Sequence, residues 1–523
     1  MGDPTNKSTA GASILSRFIQ CSTAYWDRPA IFVDEKFYTY EELKSICSAI
    51  RALLKRNEIK RGDRVGIFTE NTVYTYASIL ATLSCSACYV PLNYENPVER
   101  NRGIIADAGI NILLYSEREK EALELSASPG AECCPISNHV TPDSRQFDVA
   151  EQSDTDICYL LFTSGTTGKP KGVPIYNRNL AAFLDMMLQT GKYDFDNNDR
   201  FLQMFELTFD LSVFSFLVPL SVGASVYPIP QKRMAYLEVA EMLEGKQITV
   251  ALMVPSVINY LKPYFEELYL PKLRYSLFCG EALYHENLCG WAQCVPCAKI
   301  ENLYGPTEAT IFCIRYEWER GEAPHPQGKG IVPIGRAMEG MDAFKLTGGG
   351  LDEEGELCLS GAQVTAGYWN NPTKTAEAFG TTKDGQKFYR TGDLCKLDRK
   401  GDFLYLGRID NQVKIDGHRV ELEEIEFHAR AFCREKQVVA SVNRSEAGSY
   451  YILLFVETED DLEKGLEEYL RKQLPNYMIP KEMLVVSRFP LNSNGKVDRK
   501  ALLQQYKQGR TEKLKTAGGT PIS

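Results

Sequence analysis

A run of glycine, hydroxyl and lysine residues follows an apolar strand in the segment LLFTSGTTGKPKGVPI. Gly165, Gly168 and Gly172 let the backbone approach an anion closely. Hydroxyl donors and positive charges lie around these glycines, at Thr163, Ser164, Thr166, Thr167, Lys169 and Lys171. Pro170 disfavours a helix at Lys169, so the run is not a Walker-type loop, whose lysine opens a helix. The pattern predicts a phosphate-binding loop, and a solvated glycine-rich hairpin tip is the alternative.

Further motifs lie before and after this loop, in an order that one group of enzymes shares. They are LSCSACYVPLN at 83–93, NLYGPTEAT at 302–310, YRTGDL at 389–394, GRIDNQVKIDGHRVELEEIE at 407–426 and PLNSNGKVDRKAL at 490–502. Together with the loop, they resemble the adenylate-forming (AMP-binding) superfamily, which includes amino-acid adenylation domains, acyl-CoA synthetases and luciferases. The resemblance extends over nearly the whole chain. It implies that a substrate carboxylate attacks the α-phosphorus of ATP and that pyrophosphate leaves.

The resemblance also implies roles for individual residues. Lys496, in an Asn-Gly-Lys turn, is the catalytic residue that contacts both the carboxylate and the α-phosphate, because two negative species must meet there. Glu308 is a hard oxygen ligand for Mg²⁺, and a glutamate at a helix N-terminus is the alternative. The cofactors are ATP and Mg²⁺. The nucleotide-binding set is Thr163, Ser164, Gly165, Thr166, Thr167, Gly168, Lys171, Gly280, Glu281, Asn302, Leu303, Tyr304, Gly305, Pro306, Thr307, Asp393, Tyr405, Arg408 and Lys496.

Within that set the expected contacts differ. Tyr304 stacks on adenine and Asn302 bonds to its edge, with Gly280 and Glu281 as the opposite wall. Asp393 accepts the ribose hydroxyls, a role that suits a lone carboxylate beside a diol. Arg408 reaches ribose or phosphate. A turn residue without a ligand is the alternative for Asp393.

Asp210 stands in the apolar segment FDLSVFSF, where an unpaired buried carboxylate is costly. By resemblance it pairs with the α-ammonium group of an amino acid, and capping of a helix is the alternative. The implied side-chain pocket is formed by Leu211, Phe214, Leu277, Cys279, Leu303, Ile311 and Phe312, with Leu252 beside them. This pocket is apolar and shallow, which predicts a small amino acid such as alanine or glycine.

The segments FDLSV, LFCGE, YGPTEAT, LPNYMIP and GKVDRK are most similar to D-alanine–carrier protein ligases. The implied partners are an amino acid substrate and a separate phosphopantetheinylated carrier protein, since no serine-centred carrier segment follows Lys500. A stand-alone nonribosomal peptide adenylation enzyme for another amino acid, an acyl- or aryl-CoA synthetase and a silent nucleotide-binding scaffold are the alternatives. Asp410 is the implied hinge about which the C-terminal domain rotates between adenylation and thioester formation, with an ordinary linker aspartate as the alternative.

The elements that must position these residues alternate between strands and helices over much of the chain. RVGIFTE, CYVPL and NILLYS are predicted strands, and Thr39 caps a predicted helix that begins near Glu41. We expect an α/β fold: a large N-terminal domain, residues 1–409, with two mixed α/β subdomains and a small β-rich subdomain at 333–408. A small mobile α+β C-terminal domain at 410–505 and a frayed tail at 506–523 follow. The segment 126–156 is expected to be a surface loop.

Composition narrows the function further. The chain has 523 residues and a net charge of -10, which disfavours a nucleic acid partner. It contains no apolar run long enough to span a bilayer, so no stable membrane insertion is expected. The 15 cysteines are scattered, and no secretory signal precedes them, which predicts a cytoplasmic protein with free thiols. The Cys-x-x-Cys pairs 85/88 and 294/297 lack the surroundings of a zinc knuckle.

Overall fold

The computed structural model describes residues 13–126, 131–136, 147–165, 168–230, 235–346, 353–434, 436–445, 450–458, 465–491, 497–509 and 512–513. By its internal contacts the chain divides into two compact units. Unit 1 comprises Met1–Tyr94, Ile105–Phe162 and Gly172–Ile409, and unit 2 comprises Glu95–Ile104, Thr163–Lys171 and Asp410–Ser523. The phosphate loop therefore belongs to the same compact unit as the C-terminal residues.

The N-terminal part of the chain alternates helices with short buried strands. Its elements are α1 (Ile14–Ala24), β1 (Pro29–Val33), β2 (Lys36–Thr39), α2 (Tyr40–Arg56), β3 (Arg64–Phe68), α3 (Val73–Ser84), β4 (Cys88–Leu92), α4 (Val98–Ala108), β5 (Ile112–Tyr115), α5 (Glu119–Ser126) and β6 (Glu132–Pro135). The start of α2 is a capping box, in which Thr39 and Glu42 exchange side-chain-to-backbone hydrogen bonds. This confirms the predicted cap.

The central part continues the alternation. Its elements are β7 (Ile157–Thr163), β8 (Lys171–Tyr176), α6 (Asn177–Gln189), β9 (Arg200–Gln203), α7 (Leu211–Leu220), β10 (Ser225–Pro228), α8 (Ala235–Gly245), β11 (Val250–Met253), α9 (Pro255–Leu261), β12 (Tyr275–Phe278), α10 (His285–Cys294), β13 (Lys299–Tyr304), β14 (Ile314–Trp318) and β15 (Arg336–Ala337). Short 3₁₀ turns lie at Lys262–Tyr264 and Thr307–Ala309.

These strands form two largely parallel sheets in unit 1. One has the order β6-β5-β3-β4-β7-β8, and the other has the order β15-β14-β13-β12-β11-β9-β10-β1-β2. In the second sheet β9 to β13 run parallel, while β14 turns back antiparallel to β13. Parallel strands aligned in this way bring the segments that follow β12 and β13 to one edge of the sheet, where ligands bind in open α/β sheets.

A smaller antiparallel sheet follows in unit 1. Its elements are β16 (Met341–Lys345), β17 (Gly355–Gly361), α11 (Pro372–Ala378), β18 (Phe379–Thr381), β19 (Lys387–Leu397) and β20 (Phe403–Arg408), with the order β16-β17-β19-β18 and β20 on β19. In the register of β19 and β20, Asp393 lies directly opposite Arg408. The strand pairing thus brings these two predicted site residues together.

The C-terminal part of unit 2 is a compact α+β structure. Its elements are β21 (Gln412–Ile415), β22 (His418–Glu421), α12 (Leu422–Cys433), β23 (Val438–Arg444), β24 (Tyr450–Glu457), α13 (Leu466–Gln473), β25 (Glu482–Val486), α14 (Arg499–Lys507) and β26 (Glu512–Lys513), with a 3₁₀ turn at Asn476–Met478. Ile425 and Ala429 of α12 pack with strand residues such as Leu454 into one buried cluster.

The predicted fold class is confirmed, with two corrections in detail. The segment 126–156 is not entirely a loop, because β6 pairs with β5 as a parallel edge strand. Its sequence, ECCP, has no run of β-branched residues that would have predicted a strand. The predicted tail also begins too early, since α14 continues to Lys507. Among the described residues, no helix is both long and apolar enough to cross a membrane.

Candidate functional site

Asp393 is the centre of a buried hydrogen-bonded group in unit 1. Arg408 donates from Nη1 to Asp393 Oδ1 at 2.8 Å, and the Tyr304 hydroxyl donates to Asp393 Oδ2. Burial, and after it the Asp393 carboxylate, raises the pKa of Tyr304 well above its usual range. The phenol therefore stays protonated and acts as a donor. The carboxylate is held in one orientation by two fixed donors, as recognition of a sugar diol requires.

Asn302 and Glu281 also make contacts within unit 1. Asn302 donates from Nδ2 to the carbonyl oxygens of Val332, at 3.3 Å, and Pro333, at 2.9 Å. Its amide nitrogen thus anchors the backbone of a neighbouring segment, and Oδ1 is the atom that an adenine amino group would need as acceptor. Glu281 accepts a hydrogen bond from the Ser256 backbone N–H at 2.8 Å. Gly280, beside it, has a φ of 98°, which favours glycine there.

Glu308 is fully buried in the 3₁₀ turn that follows β13. The Tyr368 hydroxyl donates to its Oε1 at 2.8 Å, and the Thr365 backbone N–H donates to its carbonyl oxygen at 2.9 Å. A carboxylate oriented by a hydrogen bond fits the oxygen ligands that Mg²⁺ prefers. No cluster of three metal-ligating side chains occurs among the residues that the structure describes.

A strained turn connects Glu308 to the predicted side-chain pocket. Thr310 and Ile311 have φ values of 56° and 73°, in the left-handed region that β-branched residues rarely adopt. Gln363 supports this turn: its backbone carbonyl accepts from Thr310 Oγ1 at 2.6 Å, and its side-chain amide nitrogen donates to the carbonyls of Phe312 and Thr310. A side chain at Gly305 would meet the Phe312 Cα at 2.4 Å. The backbone of the segment Leu303–Phe312, which is predicted to line the side-chain pocket, is therefore tightly constrained.

Asp210 immediately precedes α7 and is 8% exposed. Although it occupies the N-cap position, its side chain makes no capping hydrogen bond. The helix-capping alternative for this carboxylate is therefore wrong. The carboxylate is thus buried at the start of the helix that carries Leu211 and Phe214.

The predicted pocket residues beside Asp210 are all buried. They are Leu211 and Phe214 on α7, Leu277 and Cys279 at the end of β12, and Leu303, Ile311 and Phe312 around the strained turn. The Phe214 and Phe312 rings have centroids 5.7 Å apart, and Phe183 packs on Phe312 at 5.1 Å. Leu252 pairs in register with Leu277. The contacts between these aromatic rings leave little room for a substrate side chain beside them.

The phosphate loop lies in unit 2, where its described residues contact the C-terminal part of that unit. The Ser164 hydroxyl donates to the Arg419 carbonyl at 2.8 Å, and the Gly165 N–H donates to Glu424 Oε2 at 3.1 Å. Lys171 Nζ lies 3.4 Å from Glu421 Oε1. Gly168 has a φ of 77°. Thr166, Thr167 and Lys496 lie outside the described residues.

The remaining predicted site residues make few hydrogen bonds or lie near the surface. Thr163 is half-buried and donates to the Lys171 carbonyl at 3.5 Å. Pro306 and Thr307 form the partly exposed start of the 3₁₀ turn, and Tyr405 on β20 is half-buried. Asp410 is exposed, and its Oδ1 accepts from the Gln412 N–H at 3.1 Å. Sequence reasoning missed Tyr368, Gln363 and Arg100, which lie in none of the motifs and act through tertiary contacts. It also gave no role to Glu424, although this residue lies in the motif at 407–426.

The Tyr368–Glu308 hydrogen bond should matter for metal binding. We expect Tyr368→Phe to weaken binding of Mg²⁺-ATP about tenfold, because losing a hydrogen bond that orients a ligating carboxylate lowers metal affinity. Titration calorimetry checks this, and binding of ATP in EDTA should be unchanged. Tyr316→Phe is the matched control, since Tyr316 donates to Glu322 in an equivalent pair elsewhere. Equal weakening of ATP binding with and without metal would contradict the assignment of Glu308.

Comparisons with known proteins agree with these features. A model of the AMP-binding enzyme family matches residues 19–369. Zwittermicin A synthase ZmaJ of Bacillus cereus is 31% identical over 91% of this chain and 92% of its own length. Tyrocidine synthase 1 of Brevibacillus parabrevis is 31% identical over 94% of this chain and 45% of its own length. This chain spans smaller shares still of several other matched synthases.

Solved structures give the same result for the fold. The Vibrio cholerae adenylation domain AlmE, solved in complex with glycyl-adenosine-5′-phosphate, superposes with a TM-score of 0.84 and 28% sequence identity. The superposition covers 97% of this chain and all of that one. The family match includes the phosphate loop, Glu308 and the pocket around Asp210. The chain therefore belongs to the AMP-binding enzyme family and is an adenylate-forming ligase.

Proposed function

We propose that this ligase activates a small amino acid, alanine in its D-form or glycine, and transfers it to the phosphopantetheine thiol of a carrier protein. The observation that carries this proposal is the burial of the Asp210 carboxylate directly before α7, the helix that contributes the apolar pocket residues Leu211 and Phe214. An α-ammonium group can form an ion pair with this carboxylate, whereas a fatty or aryl acid carries no such group.

The aromatic rings of the predicted pocket limit the size of the substrate side chain. Phe214 and Phe312 are each no more than 1% exposed, their rings contact one another, and Phe183 packs on Phe312. Interiors are close-packed, so a large substrate side chain would have to displace a ring. The superposed AlmE structure holds a glycyl adenylate, which supports a small substrate here as well.

The first half-reaction joins two anions, so charge neutralisation dominates its catalysis. A carboxylate oxygen attacks the α-phosphorus of ATP, and the bond to the pyrophosphate oxygen breaks. Ser164, Gly165 and Lys171 of the loop bind phosphate oxygens, and Asp393 binds the ribose hydroxyls while Tyr304 and Arg408 hold it. Mg²⁺, when bound through Glu308, supplies further positive charge. Lys496 contacts the substrate carboxylate and the α-phosphate.

The second half-reaction is attack of a thiolate on the acyl-adenylate carbonyl, which releases AMP and leaves a thioester. Among the matched relatives are a tyrocidine synthase and a zwittermicin A synthase. The sequence resemblance to amino-acid adenylation enzymes supports a carrier-bound thiol as the acceptor. Coenzyme A as acceptor is the outcome that would replace this part of the proposal.

Pyrophosphate exchange across a substrate panel tests the function. We expect exchange with D-alanine or glycine to exceed that with leucine, phenylalanine, acetate and benzoate by about a hundredfold or more, because the pocket excludes large side chains and Asp210 requires an ammonium group. Exchange with acetate or benzoate alone would refute amino-acid activation. Loading of coenzyme A but no carrier protein would refute the proposed acceptor.

Asp210→Asn makes this test specific to the ammonium group. The substitution keeps the shape of the side chain and removes its charge, so exchange with alanine should fall about a hundredfold. Propionate has the same carbon skeleton without the amino group and serves as the matched substrate control. Its weak exchange should be unchanged or higher in the variant. If alanine and propionate lose exchange equally, Asp210 does not bind the ammonium group.

Lys496→Ala tests the catalytic assignment. We expect amino-acid-dependent pyrophosphate exchange to fall about a hundredfold or more, because the variant loses one electrostatic stabiliser of the transition state. Lys500→Ala is the matched control, since Lys500 is an exposed lysine on α14 in the same segment. Unchanged exchange in Lys496→Ala, or an equal loss in Lys500→Ala, would overturn the assignment.

Substitution of Asp410 tests the proposed rotation of the C-terminal domain. Asp410 is exposed, beside Ile409, which is 61% exposed, so a change of backbone angles there disturbs little packing. We expect Asp410→Pro to slow thioester formation about tenfold more than pyrophosphate exchange, because proline fixes φ at the pivot. Asp410→Asn, which leaves the backbone mobile, should leave the ratio of the two rates unchanged. Equal losses in both half-reactions of the proline variant would argue against a hinge.

A further inference from the structure

One face of helix α12 contacts the phosphate loop within unit 2. Glu424, Phe427 and His428 are spaced three and four residues apart, which places them on the same side of a helix. Glu424 accepts from the Gly165 N–H at 3.1 Å, and His428 bonds to the Gly168 backbone. A side chain at Gly168 would lie 2.3 Å from the Phe427 ring. The helix therefore contacts the loop at Gly165 and at Gly168.

Glu424 is held by a buried ion pair. Arg100 on α4 donates from Nη1 to Glu424 Oε1 at 2.6 Å, and the two side chains are 7% and 0% exposed. Burial lowers the pKa of Arg100, but Glu424 and Tyr477 together outweigh this effect, and the net shift of the pKa is upward. One carboxylate oxygen thus faces Arg100 and the other faces the loop. Such a pair orients Glu424 precisely toward the Gly165 N–H.

The loop groups that face carboxylates in this structure are the donors that we expect to bind phosphate oxygens when ATP is present. A carboxylate and a phosphate both present anionic oxygens to a backbone N–H, and one N–H cannot serve both fully. A second carboxylate reinforces the arrangement, because Glu421 lies 3.4 Å from Lys171 and is held by Gln412 at 2.6 Å. Two loop donors, Gly165 and Lys171, therefore face side-chain carboxylates.

We propose that Glu424 is a displaceable substitute for a nucleotide phosphate, which holds the phosphate loop closed on helix α12 until ATP takes its place, and that Arg100 positions it. This deepens the proposed function and rests on it only in that the loop binds ATP phosphates. ATP binding then breaks the Gly165–Glu424 hydrogen bond and separates the loop from the helix. Pyrophosphate departure lets the bond form again.

Glu424→Gln tests the competition. The variant keeps the shape of the side chain but loses its charge, and a neutral acceptor binds the Gly165 N–H less strongly. We expect the Kd for ATP, measured by titration calorimetry on the full chain, to fall about fivefold. In exchange assays the KM for ATP should fall similarly while the KM for the amino acid stays unchanged. An ATP Kd that is unchanged or higher overturns the proposal.

Glu426→Gln is the matched control. Glu426 is a buried carboxylate on the same helix, 4% exposed, and it pairs with Arg499 at 2.6 Å rather than with the loop. Its substitution should leave the ATP Kd unchanged. If it tightens ATP binding as much as Glu424→Gln does, the effect reflects a loosened helix, and the proposal is wrong. The double variant Arg100→Gln/Glu424→Gln leaves no unpaired buried ion and should also bind ATP more tightly.

A measurement on the unaltered protein does not depend on the folding of any variant. Addition of ATP should increase deuterium uptake in peptides covering 422–433, because the helix face loses its contacts with the loop. Unchanged or reduced uptake there would also overturn the proposal. The ATP Kd and the deuterium uptake are measured with ATP and without an amino acid. A failure of pyrophosphate exchange with every amino acid would therefore refute the proposed function, whereas this inference would still be decided by those two measurements.

Discussion

Repulsion between anions is the constraint on which this structure depends. Its reaction requires a carboxylate to approach a triphosphate, and the protein itself carries a net charge of -10. Two acidic groups of the proposed site are held by specific donors: Asp393 by Tyr304 and Arg408, and Glu308 by Tyr368. Fixed donors cost no reorganisation when charge develops, whereas water would have to reorient. The local placement of donors, and not the overall charge, makes the site suitable for ATP.

The two units contribute different groups to the proposed site, and the same repulsion between anions explains this difference. Unit 1 contains two largely parallel sheets, and the residues proposed to bind ribose, metal and the substrate side chain lie at or near the ends of its strands and helices. The phosphate loop and the motif with Lys496 belong to unit 2. Groups that must hold the ligand in one geometry are thus on strands and tight turns. Groups that must accept and release phosphates are on a loop, where changes of conformation are less costly.

Much of the fold was predictable because local signals and tertiary structure agree. The Thr39 capping box and the strand CYVPL appear at the predicted positions, since a cap and a continuous apolar run are encoded within a few residues. Strand β6 was missed because its pairing with β5, and not its own composition, makes it a strand. Asp210 and Asp393 could be proposed from motifs. The bonds from Tyr368 to Glu308, and from Arg100 to Glu424, join residues 60 and 324 positions apart, and no local pattern encodes them.

The strained turn at Thr310 and Ile311 has a consequence for altering substrate choice. The position of the Phe312 ring is determined by left-handed backbone angles and by Gln363, so the wall of the pocket is a property of the main chain. Trimming Phe312 would create a cavity lined by Phe183 and Phe214 without moving that main chain. In the proposed pocket, the room for a substrate side chain therefore depends on the backbone conformation at 310 and 311, and on its support by Gln363, as well as on the Phe312 ring. A preference for small amino acids would then be encoded in a loop conformation as much as in individual side chains.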